Sequence, residues 1–479
     1  MSTTRPASLP IAPAQPAAAG AARPSREGAA SKPSTAFRES TYLKHLFGYE
    51  ILGKPALRLQ RWRDEQAIRA YEPKPTDVLS PPLVCVAQMK ELMTRHYLEG
   101  RYASGVKKVA WVTSGAPAEI LKAFGFFLVY PENHAALCGV RRKTEEIATE
   151  AENAGFSRDL CSYARTDLGT VLSGKTPVGR LPRPDLLLCC TNICQTVLYW
   201  YRNLADLFGV PLVLIDTPFL YGEAQPHQIE YVKRQIEGII PVAEKVAGKA
   251  LDEERFESVL QHARDAADLW LEVLNRSQNR PAPMTAFDGF IHMGPIVDLR
   301  GDAVTVEYYR RMLKELDARV AQGVGAVKDE RYRVLWDNLP IWYRIGGFSK
   351  LLAQHGVNVV VSTYTYAWGE LAPLIDPAKP LDSMAKVYLH PILNRSPADK
   401  LRVMRRMVKE FGLDGVILHS DRSCKPYSLG QIDERELLAR ELGLPALLLE
   451  ADHSDPRAWA DEQGNARLEA FVEMMEGRG

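Results

Sequence analysis

Short, almost wholly apolar runs alternate with longer amphipathic stretches in two separate parts of the chain. Apolar runs of this length, punctuated by turn residues and followed by amphipathic stretches, are typical of strands buried on both faces of a parallel sheet. The pattern predicts strands at 107–113, 126–130, 185–190 and 211–215, and again at 332–337, 357–362, 415–419 and 446–450.

The amphipathic stretches predict the helices that cover these sheets. They fall at 135–154, 195–207, 227–247, 252–278, 308–322, 348–355, 397–411, 433–442 and 466–476. Strands that alternate with helices indicate the α/β class. We therefore expect two parallel-sheet domains of the Rossmann or flavodoxin type, joined by a helical region.

The same pattern divides the 479 residues into five parts. Because residues 1–39 are rich in Ala, Pro and Ser and lack the apolar centre of a secretory signal, we predict a disordered leader there. The other predicted parts are a helical lead-in at 40–105, a first α/β domain at 106–222, a helical linker region at 223–328 and a second α/β domain at 329–479.

The net charge and the cysteine content limit which binding partners and which cellular compartment we expect. The formal net charge is +1 and a quarter of the residues are charged, so no global field favours a nucleic acid or a membrane surface. No apolar run approaches the length of a bilayer span. The seven cysteines are an odd number, which argues against a disulfide framework. We expect a cytoplasmic protein with thiols available as ligands.

Three cysteines lie in polar segments: Cys161, Cys194 and Cys424. Cys194 and Cys424 follow predicted strands, and ligands of open parallel sheets gather beyond the carboxyl ends of strands. Three thiolates leave one position open in a four-ligand zinc or iron–sulfur site. Spacing alone leaves buried structural cysteines as the default interpretation. That interpretation is preferred for the other four cysteines, at 85, 138, 189 and 190.

Four segments carry a resemblance to a known family. They are Tyr130-Pro-Glu-Asn-His134, Cys161-Ser-Tyr-Ala-Arg165, Cys189-Cys-Thr-Asn-Ile-Cys194 and Arg422-Ser-Cys-Lys-Pro-Tyr427. From about Val106 to Glu476 the chain resembles the 2-hydroxyacyl-CoA dehydratases and ATP-dependent benzoyl-CoA reductases. The leading residues have no counterpart in this resemblance.

The resemblance implies a cofactor, partners and site residues. It implies a [4Fe–4S] cluster held by Cys161, Cys194 and Cys424, a second related subunit and an acyl-CoA substrate. It also implies a separate ATP-hydrolysing activator, and the chain itself has no Gly-x-x-x-x-Gly-Lys-[Ser/Thr] loop. Ser114 and Glu132 match positions near the substrate thioester. Each has a structural alternative, since Ser114 is a candidate helix N-cap and Glu132 a candidate partner for a helix dipole.

The implied activity is the radical dehydration of a 2-hydroxyacyl-CoA by a catalytic subunit. One electron on the thioester gives a ketyl radical anion, which expels the hydroxyl group. The same apparatus suits ring reduction of benzoyl-CoA. A non-catalytic electron-relay subunit is an alternative of another class, and a zinc or thiol protein is a third.

Several other polar or aromatic positions are open to two interpretations. The basic run Arg141-Arg142-Lys143 is either a CoA phosphate contact or a solvated surface, and His419 and His453 are expected to be supporting polar groups. The aromatic residues at 199–201, 342–343 and 364–368 either line a pocket or pack in the core, and packing is preferred.

Overall fold

A computed structural model describes residues 32–477. Its framework is two four-stranded sheets, and every pair of neighbouring strands within them is parallel. The strands are β1 Val109–Val112, β2 Phe127–Val129, β3 Leu186–Cys190, β4 Leu212–Ile215, β5 Tyr332–Asp337, β6 Val357–Ser362, β7 Gly415–Asp421 and β8 Ala446–Ala451. The predicted α/β class with two parallel sheets is therefore confirmed.

The two sheets share one topology. The strand orders are β2-β1-β3-β4 and β6-β5-β7-β8. Trp111 of β1 lies opposite Val129 of β2 and Leu187 of β3, and Trp336 takes the corresponding central position in β5. In each sheet the chain leaves the first strand towards one edge and then crosses to the other side. Such a reversal opens a crevice at the carboxyl ends of the two central strands.

Helices surround the sheets and fill the connections between them. The lead-in helices are Tyr42–His45, Gly53–Arg69 and Val86–Ala103, with a π-helical segment at Leu46–Ile51. Those of the first sheet are Ala118–Ala123, Pro131–Val140, Thr144–Asn153, Ser162–Ser173 and Thr196–Phe208. The middle of the chain forms Pro226–Glu237, Ile239–Ala247, Glu253–Asn275, Ala286–His292, Gly294–Asp298 and Ala303–Ala321.

The chain after β5 forms further helices, most of them around the second sheet, while Pro380–Leu389 packs in the buried cluster of the first sheet. They are Ile345–Gln354, Thr363–Tyr366, Pro380–Leu389, Pro397–Phe411, Lys425–Ser428, Gln431–Leu442 and Asp461–Glu476. Short 3-10 turns lie at Arg276–Gln278, Trp342–Arg344, Ala372–Leu374, Ile392–Asn394 and Pro456–Ala458. None of the helices within residues 32–477 has the combination of length and apolar composition that crossing a bilayer requires.

Two helices predicted as continuous are each divided. The predicted helix at 135–154 breaks at Arg142, whose φ of 55° is left-handed and cannot continue a right-handed helix. The predicted helix at 227–247 breaks at Gly238. Pro241 lies in the first turn of the second piece, where its missing N–H costs no helical bond. A third helix begins at Ala303, earlier than the predicted 308.

The apolar core is continuous between the two sheets. Trp111 and Leu187 of the first sheet share a cluster of buried side chains with Trp336 and Ile417 of the second. The four cysteines predicted to be structural, at 85, 138, 189 and 190, are all buried. The five-part division along the chain stays a prediction, and residues 1–31 of the predicted leader lie outside the described residues.

Polar contacts tie the segment that carries Cys161 to the far end of the chain. The guanidinium of Arg165 donates to Glu152 at 2.6 Å and to Asp455 at 2.9 Å, with its side chain almost fully buried. The Ser162 amide donates to the Ser423 hydroxyl at 3.2 Å. The start of helix Ser162–Ser173 is thereby held against the carboxyl end of β7.

Candidate functional site

A cavity of about 210 Å³ opens where the carboxyl ends of the two sheets face each other. All five residues predicted from the sequence line it: Ser114, Glu132, Cys161, Cys194 and Cys424. They come from widely separated parts of the chain, so the fold alone brings them together.

Each of the five follows a strand or begins a helix. Ser114 comes just after β1, Glu132 lies in the first helical turn after β2, and Cys194 follows β3. Cys161 and Cys424 occupy the N-cap positions of helices Ser162–Ser173 and Lys425–Ser428. Backbone N–H groups at a helix start favour negative charge, which suits a thiolate.

Burial dominates the protonation of two of the thiols. It raises the pKa of Cys194 to about 12, although the backbone amides of Val197 and Thr196 act in the opposite direction. Burial, with the nearby Asp421 carboxylate, holds the pKa of Cys424 well above its ordinary value. These thiols stay protonated at neutral pH unless a metal binds them, since a coordinating thiol is deprotonated outright.

The spacing of the three sulfur atoms excludes a single shared ion in this arrangement. Within residues 32–477, three metal-ligating atoms approach within 4.8 Å of one another at Asp421, Asp452 and His453, and the cysteine trio forms no such group. Zinc–sulfur bonds of about 2.3 Å require closer sulfur atoms than this.

The triad formed by Asp421, Asp452 and His453 is explained by hydrogen bonds within the protein. Asp421 Oδ2 lies 2.6 Å from His453 Nδ1. Asp452 accepts from the Ser423 hydroxyl at 2.5 Å and from the Ser454 amide at 2.8 Å. Since these partners occupy the carboxylates, the triad orients His453 and needs no metal of its own.

His453 lies directly beside a predicted ligand. Its Nε2 is 2.9 Å from the Ser162 hydroxyl and 4.0 Å from the Cys161 sulfur. Burial lowers the pKa of His453, but the carboxylates of Asp421 and Asp452 outweigh it and hold the pKa well above the ordinary value. The sequence singled out His453 only as a supporting group, and the structure gives it this specific neighbour.

Ser114 and Glu132 form a second pair in the cavity. The Ser114 amide donates to Glu132 Oε1 at 3.1 Å, and the Ser114 hydroxyl lies near the same carboxyl group, although neither this hydroxyl nor Glu132 Oε2 makes a hydrogen bond of regular geometry. Burial raises the pKa of Glu132 to about 7. The N-cap interpretation of Ser114 is wrong, because the next helix begins at Ala118 with Pro117 as its N-cap.

The sequence missed a buried network that fixes Ser114. Arg300 donates to the Ser114 carbonyl at 3.0 Å and to the Tyr388 hydroxyl at 2.8 Å. That hydroxyl in turn donates to the Glu119 carboxylate at 2.6 Å and 2.7 Å. These residues lie far apart along the chain and share no local motif, so only the folded chain reveals them.

The other residues singled out from the sequence fall into two groups, those that line the cavity and those that do not. Among the aromatic residues, Trp200, Tyr364 and Trp368 line the cavity. Tyr201, Trp342 and Tyr343 are buried in the core. The preferred interpretation, that these aromatic residues serve packing, therefore holds only in part. The basic run at 141–143 is exposed and does not line the cavity. His419 is buried, 2.7 Å from the Leu339 carbonyl.

Known proteins resemble this chain in sequence over most of its length. The family model described as 2-hydroxyglutaryl-CoA dehydratase, D-component, matches residues 113–475. The chain is 35% identical over 376 residues to the (R)-2-hydroxyisocaproyl-CoA dehydratase alpha subunit of Clostridioides difficile, covering 78% of this chain and 91% of that one.

Two further relatives carry different activities in their names. The chain is 30% identical over 407 residues to a benzoyl-CoA reductase subunit of Thauera aromatica, covering 82% of this chain and 94% of that one. It is 29% identical over 400 residues to the (R)-phenyllactyl-CoA dehydratase alpha subunit of Clostridium sporogenes, covering 81% and 97%. Each of these names describes one subunit of an enzyme, which implies that those proteins work with a partner chain.

This chain belongs to the 2-hydroxyglutaryl-CoA dehydratase D-component family. The predictions of the family and of an enzyme are thereby confirmed.

Proposed function

We propose that this family member is the catalytic, [4Fe–4S]-binding subunit of a 2-hydroxyacyl-CoA dehydratase. One observation carries the proposal. The cavity that collects Cys161, Cys194 and Cys424 also contains Ser114 and Glu132, which lie beside each other and each keep one buried polar atom without a regular hydrogen bond. Buried polar atoms are normally paired, and those left open in a cleft are candidates for substrate contacts.

Cys161, Cys194 and Cys424 would hold the cluster. When bound, it would lend the thioester one low-potential electron, to be returned after the loss of water, and would offer an iron not ligated by the protein that acts as a Lewis acid. The high pKa values of the buried thiols at 194 and 424 fit ligands that are deprotonated only by metal binding. His453, held at Nδ1 by Asp421 and donating from Nε2 to the Ser162 hydroxyl, would place a positive charge 4.0 Å from the Cys161 sulfur.

The chain's own residues would manage the protons. Dehydration breaks the α-carbon–oxygen bond and a β-carbon–hydrogen bond, forms the carbon–carbon double bond and releases water. With a pKa of about 7, Glu132 exists in both protonation states near neutrality and can take the β-proton or give a proton to the departing hydroxyl. The Ser114 hydroxyl would donate to the thioester oxygen or to the substrate hydroxyl.

The buried network would hold Ser114 in place for this task. Arg300 fixes the Ser114 carbonyl, and the Glu132 carboxylate fixes its amide. The hydroxyl group of Ser114 is therefore presented from a rigid backbone, which is how a site avoids reorganisation during reaction.

A benzoyl-CoA-type reductase is the second candidate. The similarity to the benzoyl-CoA reductase subunit and the aromatic side chains that line the cavity favour it. A purely electron-relaying role is less well supported, because it requires neither of the open polar atoms of Ser114 and Glu132.

An anaerobic reconstitution tests the proposal. The chain would be combined with a second related subunit and an ATP-hydrolysing activator and offered 2-hydroxyisocaproyl-CoA, phenyllactyl-CoA, 2-hydroxyglutaryl-CoA and benzoyl-CoA. Formation of 2-enoyl-CoA products, with iron and sulfide bound to this chain, is the expected result. Turnover of benzoyl-CoA alone would favour the reductase, and absence of iron and sulfide from folded protein would overturn both.

A further inference from the structure

We infer that the acyl group taken by this cavity ends in an uncharged, apolar substituent, either branched aliphatic or aryl, and that acyl groups ending in a carboxylate are selected against. The inference rests on the proposed acyl-CoA function and names the substrate class that the cavity favours. It is carried by the chemistry of the walls and by the pairing of every cationic side chain among the lining residues.

One set of walls is built from aliphatic side chains. Helix Glu253–Asn275 contributes Ala263 and Ala267, and Ile296 comes from the short helix Gly294–Asp298. The connection after β6 contributes Leu371, Ala372 and Ile375. A branched aliphatic or aryl group would lose water-exposed apolar surface against these walls, and such burial stabilises by about 25 cal/mol per Å².

Aromatic faces complete the lining. Trp200 donates its indole N–H to Asp167 at 2.8 Å, so this polar atom is already engaged outside the lining and the ring itself faces the space. Trp368 and Tyr388 each lie under the Arg300 guanidinium, at 5.5 Å and 5.9 Å from ring centre to cation. Aromatic surfaces of this kind suit apolar and aryl groups.

The cationic side chains of the lining are already balanced by anions. Arg300 donates from its two terminal nitrogens to the Ser114 carbonyl and the Tyr388 hydroxyl, while its Nε makes no hydrogen bond but lies 3.9 Å from the Glu119 carboxylate. His453 is paired with Asp421 at 2.6 Å. The charges of these two cations are therefore countered within the protein.

A substrate carboxylate would consequently enter as an uncompensated charge. With Arg300 already paired to Glu119, and Glu132 held beside Ser114, the added group would find no free counter-ion among the lining residues and would meet an apolar wall. Burying an unpaired carboxylate is strongly unfavourable. An isopropyl group of the same shape avoids this penalty.

Equilibrium binding of two esters of similar shape tests this inference. Isocaproyl-CoA and succinyl-CoA differ chiefly in ending with an isopropyl group or a carboxylate, and neither carries the hydroxyl group that dehydration requires. Titration calorimetry under anaerobic conditions would use the chain with its partner subunit and no activator. We expect isocaproyl-CoA to bind at least about tenfold more tightly.

The possible outcomes distinguish a failure of the proposed acyl-CoA site from a failure of the inferred substrate class. If neither ester binds, the proposed acyl-CoA site is wrong. If both bind equally, or succinyl-CoA binds more tightly, the substrate class is wrong while the acyl-CoA site stands.

A variant of the charge pair sharpens the test. Glu119→Gln leaves Arg300 without its anion, so succinyl-CoA should gain several-fold in affinity relative to isocaproyl-CoA. The exposed Glu145→Gln serves as the matched control and should leave the ratio unchanged. If folded Glu119→Gln shows the same ratio of affinities for succinyl-CoA and isocaproyl-CoA as the wild type, the role of charge pairing is wrong. If this variant does not fold, the ratio measured with the wild-type protein decides the substrate class.

Discussion

The backbone amide of Ser114 donates a 3.1 Å hydrogen bond to Oε1 of Glu132, which leaves Oε2 of the same carboxyl group buried without a regular hydrogen bond. The hydrogen bonds offered by the Glu132 amide and by the backbone and side chain of Ser114 do not compensate for the loss of water around a carboxylate, so burial raises the pKa of Glu132 to about 7. A carboxyl group in this state is suited to exchange a proton at neutral pH.

Replacing this carboxyl group separates proton transfer from cofactor binding. Glu132→Gln keeps the shape and can keep the bond from Ser114 but cannot exchange a proton. We expect turnover in the reconstituted system to fall at least about a hundredfold, while iron and sulfide content stays unchanged. Glu145→Gln, at an exposed position, is the control. Full activity in the Glu132 variant would show that this carboxyl group transfers no proton.

The same pKa shift predicts a pH dependence of stability. Between the ordinary pKa of 4.5 and the raised value of about 7, the folded state keeps a proton that the unfolded state loses. The free energy of unfolding therefore falls as pH rises through this window, by up to about 3 kcal/mol from this group. Glu132→Gln lacks this loss, so its stability relative to the wild type should increase from about pH 5 to about pH 8. Denaturant unfolding of cofactor-free protein measures the difference, and a constant difference across the window would contradict it.

Two cysteines of one segment should respond oppositely to substitution. Cys194 lines the cavity, whereas Cys190 is fully buried in the core of the first sheet. We expect Cys194→Ala to lose bound iron, sulfide and activity together. Cys190→Ala should keep all three and lose about 1 kcal/mol of stability from the small void it leaves. Metal and sulfide analysis of protein prepared without air distinguishes them, and stoichiometric iron in Cys194→Ala would remove that residue from the ligand set.

His453 should set the electronic properties of the bound group without holding it. Its Nε2 lies 4.0 Å from the Cys161 sulfur, and the charged imidazolium favours additional negative charge nearby. We expect His453→Gln to keep its iron content and to shift the reduction potential to a more negative value. Potentiometric titration followed by electron paramagnetic resonance measures this shift. An unchanged potential with reduced stability would assign His453 a structural role alone.

The buried Arg165 should stabilise the fold far more than an exposed arginine does. Its side chain is 3% exposed and pairs with Glu152 and Asp455, whereas Arg234, paired with Glu230, is 74% exposed. Arg165→Met leaves buried carboxylates with fewer partners and should cost about 3 kcal/mol. Arg234→Met should cost less than about 1 kcal/mol. Chemical denaturation compares the two, and equal losses would contradict the structural role of Arg165.

The sequence predicted the strands well because each is an apolar run that only a doubly covered sheet accommodates. It misjudged helix continuity, since the break at Arg142 depends on a left-handed backbone conformation that amphipathic periodicity does not encode. It also left a capping role open for Ser114 as an alternative, because a Ser that precedes a Pro and a Glu resembles a helix start, whereas the helix begins after Pro117.

By itself, then, the sequence determined the two parallel sheets, the family and five of the residues that line the cavity. Those follow from local runs and motifs that are legible along the chain. Tertiary structure alone decided that Arg300, Tyr388 and Glu119 anchor Ser114, and that His453 lies beside Cys161. The physical reason is that these contacts join residues from distant segments, and the charge pairing and burial that define the cavity exist only after the two sheets come together.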